Sequence, residues 1–216
     1  MRILATAAAL AAALALPAAA QTADTKGVAP GTQAAPGAPS AEQANATDRV
    51  FIELVGAGGM AEVEFAKLAD RKSQNDAVKE FARRMIEDHT RLNQQLAMRA
   101  EQASIPLPRE LGPDDRAMSD QLERVSGPAF DLAYMQGQVT DHQKTVTLLE
   151  YEIDSGQNAG LKQFAVAALP TIFAHLDNAR GVMAELGRQG VVAQGAAAGV
   201  GAGGAPVSAP QRPRSP

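Results

Sequence analysis

Apolar residues recur at steps of three and four through most of residues 48–188, and no alternating strand pattern of useful length interrupts them. A chain with that pattern has to bury helix stripes against one another. The punctuation then sets the helices. Phe51, Leu54, Val55, Gly58, Ala61, Phe65, Leu68 and Ala69 make one stripe, and Asp48 is the expected cap of a first helix over 48–72. Asn75 is suited to cap a second, with Val78, Phe81, Ala82, Met85, Leu92, Leu96 and Ala103 on its face. Ile105-Pro106-Leu107-Pro108 stops that helix near residue 103. Pro113 with Asp114 and Asp115 starts a short helix to about residue 125. Gly127-Pro128 breaks the chain again before a third long helix over 128–155, which ends at Gly156. A fourth runs over 158–187, with Gly187 and Gly190 as stops. The expected fold is all-α: a four-helix bundle with a short extra connecting helix.

Composition confines that fold to the window. All six Phe, both Tyr and all three His lie within 48–188, which is the size of a single domain. Outside it, residues 1–20 read as a secretory signal. Arg2 precedes an apolar run from Ile3 to Leu16, and Ala18-Ala19-Ala20 offers a cleavage site after Ala20. The apolar run is too short for a stable membrane-spanning helix, so the mature chain is expected to lack a transmembrane anchor and to reside in the periplasm or be secreted. Residues 21–47 and 189–216 are rich in Ala, Gly and Pro and are expected to be a disordered linker and a disordered tail.

Several function classes are excluded on residue type. The chain has no cysteine, which removes thiolate metal sites and thiol catalysis. The window carries 16 Lys and Arg against 22 Asp and Glu, a net charge of about −6, so it is a poor partner for nucleic acid. No G-x-S-x-G elbow or phosphate-binding loop occurs, and Gly56-Ala57-Gly58-Gly59 falls inside the first helix, where it suits close packing. Pro170 points away from the fourth stripe and is expected to kink that helix near His175, either opening a site or bending the helix around the core.

The histidines stand out by angle. At 100° per residue, His89 lies eleven residues after Val78 and so within about 20° of it. Glu62 stands in the same relation to Phe51. His142 falls among Leu132, Met135, Val139, Val146, Leu149 and Ile153, and His175 among Phe164, Ala168, Ile172, Ala179 and Val182. Each long helix thus presents one candidate ligand inward, and at 1.5 Å rise all four lie roughly 18 to 28 Å from the helical turns, near mid-helix. Facing helices of a bundle are where ligands converge on a metal. The candidate metal ligands are Glu62, His89, His142 and His175, with Asp131 either as a second carboxylate ligand or as the group orienting an imidazole. Asp88 and Asp141 sit about 100° round from the histidines and are expected to flank the core. Imidazole donors suit Zn, Cu or Fe, and Met85 and Met135 near His89 and His142 would soften the site toward Cu(I) or simply fill the core. The alternative is a non-catalytic structural or interaction module in which a core network of histidine and carboxylate only specifies packing.

Four blocks also carry a resemblance. Gly59-Met60-Ala61-Glu62, Phe81 through Asp88-His89, Phe130-Asp131-Leu132-Ala133-Tyr134 and Leu169-Pro170 through His175-Leu176 resemble the exported bacterial family called domain of unknown function 4142, over about 48–188. The resemblance implies a ferritin-like bundle of the cell envelope with no settled activity. The sequence departs from the di-iron pattern of the wider ferritin-like group, which places Glu three residues before His. Ile86, Val139 and Ile172 occupy those positions here, which argues against oxidative di-iron chemistry and for a mononuclear site in a monomeric protein.

Overall fold

The computed structural model describes residue 40 and residues 42–200, with side chains as far as residue 190. The expected signal at 1–20, most of the 21–47 linker and residues 201–216 lie outside the described residues. Five helices follow one another: α1 (Ala46–Lys72), α2 (Asp76–Gln102), α3 (Pro113–Arg124), α4 (Gly127–Ser155) and α5 (Ala159–Val200). Among the described residues none of the helices is long and apolar enough to cross a membrane.

The long helices form a bundle in which α1 packs on α2 and α4, and α5 packs on α4 and α2. End contacts fix the directions. Asn45 before α1 donates from Nδ2 to the carbonyl of Ser155 at the end of α4 (3.0 Å), and Lys72 at the end of α1 donates to the carbonyls of Leu122 and Glu123 just before α4. α1 and α4 are therefore antiparallel. Asn75 before α2 reaches Gln189 in α5, so those two are antiparallel as well. α2 and α4 must then run the same way, and the segment between them, including α3, is a single long crossover along the bundle.

The local chemistry explains the helix ends. Asn45, not Asp48, caps α1: its Oδ1 accepts from the Asp48 amide at 3.0 Å, and the Asp48 carboxylate accepts in return from the Asn45 amide at 2.5 Å. The expectation that Asp48 is the cap is corrected by three residues. Its carboxylate has a second task, accepting from the amides of Gln157 (3.1 Å) and Asn158 (3.0 Å), which ties the start of α1 to the α4–α5 turn. Asn75 caps α2 as expected, accepting from Ala77 and Val78. Gly127 opens α4 at φ +58°, a backbone setting that L side chains rarely adopt, with Pro128 at the next position. α5 passes Gly187 and Gly190 and ends at Val200. A helix glycine costs about 1 kcal/mol, which is not enough by itself to stop a helix. Pro170 is exposed and α5 continues through it.

The core has two apolar clusters. One joins Phe65, Phe81, Met85, Phe130, Tyr134 and Met135, and the other joins Phe51, Ile52, Leu96, Leu149, Leu161 and Phe164. Met85 and Met135 are core-filling residues of the first. Two expected stripe members lie outside the core: Leu54 of α1, whose buried face runs through Phe51, Ile52 and Gly56, and Leu132 of α4, whose buried face is rotated onto Phe130, Asp131, Tyr134, Met135, Gln138 and His142. Asp48→Ala should lower the unfolding free energy by about 2–3 kcal/mol, since it strips three backbone amides of a charged acceptor. Urea denaturation checks this, with the exposed Leu54→Ala as a control that changes stability little.

Candidate metal centre

Between the two apolar clusters lies a polar layer. His89, His142 and His175 are 5 %, 1 % and 1 % exposed, and one nitrogen of each lies within 4.8 Å of the others. They are brought together because each stands at mid-helix on the inward stripe of α2, α4 and α5. Nε2 of His142 is 3.4 Å from Nε2 of His89 and 3.3 Å from Nδ1 of His175. Metal–nitrogen bonds of about 2.0–2.1 Å at tetrahedral angles set ligand nitrogens about 3.3–3.4 Å apart.

The protons settle what these nitrogens offer. Nδ1 of His142 lies 2.9 Å from the carbonyl oxygen of Gln138, which can only accept, so this nitrogen carries the hydrogen. Nε2 of His175 lies 2.9 Å from Oδ2 of Asp88 and donates to it. A neutral imidazole has one N–H. Nε2 of His142 and Nδ1 of His175 therefore both present bare lone pairs across 3.3 Å, and neither can donate to the other. Burial holds all three rings neutral. It is the main cause that pushes His142 down to about 4, His89 well below its ordinary value, and His175 downward against the opposing pull of Asp88.

Glu62 reaches the layer from α1. Its Oε1 is 3.6 Å from Nδ1 of His142, on the side of that ring away from the other two, and its Oε2 accepts from Nε2 of Gln138 at 2.6 Å. Burial raises its pKa to about 8, with Asp141 and Asp115 adding repulsion and the Gln138 hydrogen bond opposing. Asp131 does not join the group. It is eleven residues from His142 along α4, about 16 Å of helix rise, and its buried Oδ1 has no hydrogen-bond partner. The Gln138 carbonyl, not Asp131, orients His142.

Two participants escaped the sequence reading. Asp88, expected to flank the core, fixes His175 across the α2–α5 boundary and is held in turn by Arg91 at 2.6 Å and Arg84 at 3.6 Å. Burial pushes the Asp88 carboxyl upward, but the hydrogen bonds from His175 and Arg91 together with the nearby positive charge outweigh it and leave its pKa below the ordinary value. Gln138 stands four residues before His142, a spacing that signals a shared helix face once the rotation of α4 is known. Gly59 packs as expected, its carbonyl accepting from Asn93 at 2.7 Å.

A family model described as "Domain of unknown function (DUF4142)" matches residues 33–182, more than half of the chain. The chain belongs to this family. The DUF4142 match begins upstream of the helical window, and no curated protein matches the chain. Among solved structures, a crystal structure of a DUF305 fragment from Deinococcus radiodurans is similar with a TM-score of 0.59 at 15% identity, covering 69% of this chain and 99% of that one. CopM in its Cu(II)-bound form is similar at TM-score 0.54 and 17% identity, over 64% of this chain and 96% of its own. The Ag-bound form of CopM gives 0.51 and 17%, over 62% and 93%. At these identities the likeness is one of fold.

The folded state holds a proton on Glu62 that the unfolded state releases between pH 4.5 and about 8, so this group lowers stability as pH rises through that window. Glu62→Gln removes the dependence. Its stability relative to the unaltered chain, both metal-free, should increase by about 1 kcal/mol per pH unit from pH 5 to 8. Thermal unfolding at stepped pH measures it, and a difference that stays flat with pH contradicts the buried protonated carboxyl.

Proposed function

We propose that this DUF4142 protein is an exported metal-binding bundle that takes one transition-metal ion, copper in preference to zinc or iron, on His89, His142 and His175. One observation carries the reading: the two imidazoles of His142 and His175 commit their single protons outward, to the Gln138 carbonyl and to Asp88, and turn bare lone pairs toward each other and toward His89. A cation relieves that opposition. Outward hydrogen bonds of this kind are what orient metal-bound imidazoles. Three imidazoles without thiolate suit copper or zinc better than iron. The fold likeness to CopM, whose structures hold Cu(II) and Ag, supports copper without supplying a ligand set.

In this reading Asp88 and the Gln138 carbonyl hold the rings, and Glu62 beside His142 is a neighbouring proton carrier, not one of the three converging donors. Asp131 takes no part in the ion's shell. Residues 1–20 act as a cleaved secretory signal that delivers the bundle to the periplasm or the exterior, with 21–39 and the far C-terminal residues as tethers. The single long crossover supports a ferritin-like lineage, although Ile86, Val139 and Ile172 leave no place for a bridged di-iron pair.

Untagged protein, stripped of metal and titrated with Cu(II) or Zn(II), should bind about one equivalent and gain about 2–3 kcal/mol of stability at a hundredfold excess over Kd. His175→Ala should weaken binding by at least about a hundredfold, and Asp88→Asn by about 10- to 100-fold. Less than about 0.2 equivalents bound, with no thermal shift, would leave the histidines as a purely structural network.

A further inference from the structure

A cavity of about 490 Å³ opens between α1 and α4 beside the histidine layer, with Glu62 and His89 on its inner wall. A water molecule's share of liquid volume is about 30 Å³, so this space is many times what a metal ion with a few waters needs, and it falls in the range of small-molecule sites. Its deep wall is apolar, formed by Phe65, Leu96, Leu149, Phe164 and Ile172. Its rim carries Asp114, Asp115 and Asp141 from the crossover helix and α4, with Lys144 as its single basic group, already 3.4 Å from Asp141.

We propose that this cavity binds an uncharged, largely apolar organic molecule whose one polar atom meets Glu62 and His89. The wall supplies apolar area and cannot repay the desolvation of a charged group. The rim carboxylates repel anionic head groups such as fatty-acid carboxylates, and no free Lys or Arg lines the cavity to receive one. Gly58 adds a separate observation. It lies mid-helix on the cavity wall, where alanine would favour the helix, and a Cβ built there meets nothing within 4 Å. The space in front of it belongs to the cavity. A Cβ at this position disturbs no neighbour, so a substitution here tests the space directly.

The site adjoins the proposed metal site and shares His89 with it, whereas His142 and His175 do not line it. The test uses the metal-free full chain titrated with the uncharged dye N-phenyl-1-naphthylamine and the related anionic dye 1-anilinonaphthalene-8-sulfonate. The uncharged dye should bind saturably at one equivalent and about tenfold or more tighter than the anionic one. Gly58→Phe, and Thr145→Phe from the opposite wall, should each weaken it by about tenfold or more with helical circular dichroism unchanged. Gly58→Ala and Leu132→Ala, the latter exposed and away from the cavity, should stay within about twofold. Unsaturable binding, equal affinity for the two dyes, or full affinity in both folded plug variants overturns the proposal, whatever the metal titration gives.

Discussion

Two bare imidazole lone pairs held 3.3 Å apart in the buried interior are the constraint around which this bundle is organised. Lone pairs at that separation repel unless a proton or a cation lies between them. Here the protons are committed elsewhere, by a backbone carbonyl on one ring and a carboxylate on the other. The layer interrupts the core, leaving one apolar cluster on either side. Keeping three rings from three helices in register demands fixed helix ends. The Asn45–Asp48 capping box, with its reach to the α4–α5 turn, and the Lys72 contacts to the crossover supply them.

Much of this layer was legible because helical geometry is regular. An eleven-residue spacing returns to nearly the same angle, which was sufficient to place His89 and Glu62 inward, while the surrounding apolar stripes placed His142 and His175. Asp131 satisfied the same arithmetic and is buried, but angle says nothing about depth, and eleven residues carry it well along α4 from the rings. Asp88 shows the converse. Its angle sets it beside the core, and its role depends on α5 being the neighbouring helix, which periodicity does not encode. The apolar stripe of α4 misled because Leu132 was weighted as a core residue while Gln138 was not, although a glutamine that pairs with a buried carboxyl is as inward as any leucine.

The helix boundaries failed in instructive places. Asp48 is a good capping residue by type, yet its carboxylate serves the amides of a turn more than a hundred residues away, so the cap falls to Asn45. Gly187 and Gly190 are weak stops by energy, and α5 passes them. The five helices and the fold likenesses agree with the all-helical reading, and family membership leaves the chemistry to the site itself. The adjoining cavity shares Glu62 and His89 with that site, so one buried layer faces both a candidate ion and a candidate organic ligand.

Where the imidazole protons sit decides whether the three rings can take a metal. Long-range ¹H–¹⁵N correlation spectra of the histidine rings, recorded at neutral pH on metal-free protein and again with one equivalent of Zn(II) as a diamagnetic probe, report each nitrogen separately. The expected result is a hydrogen on Nδ1 of His142 and on Nε2 of His175 in both states, with the metal shifting only Nε2 of His142, Nδ1 of His175 and one nitrogen of His89. Protonated inward nitrogens in the metal-free protein, or ring shifts indifferent to the metal, would contradict it.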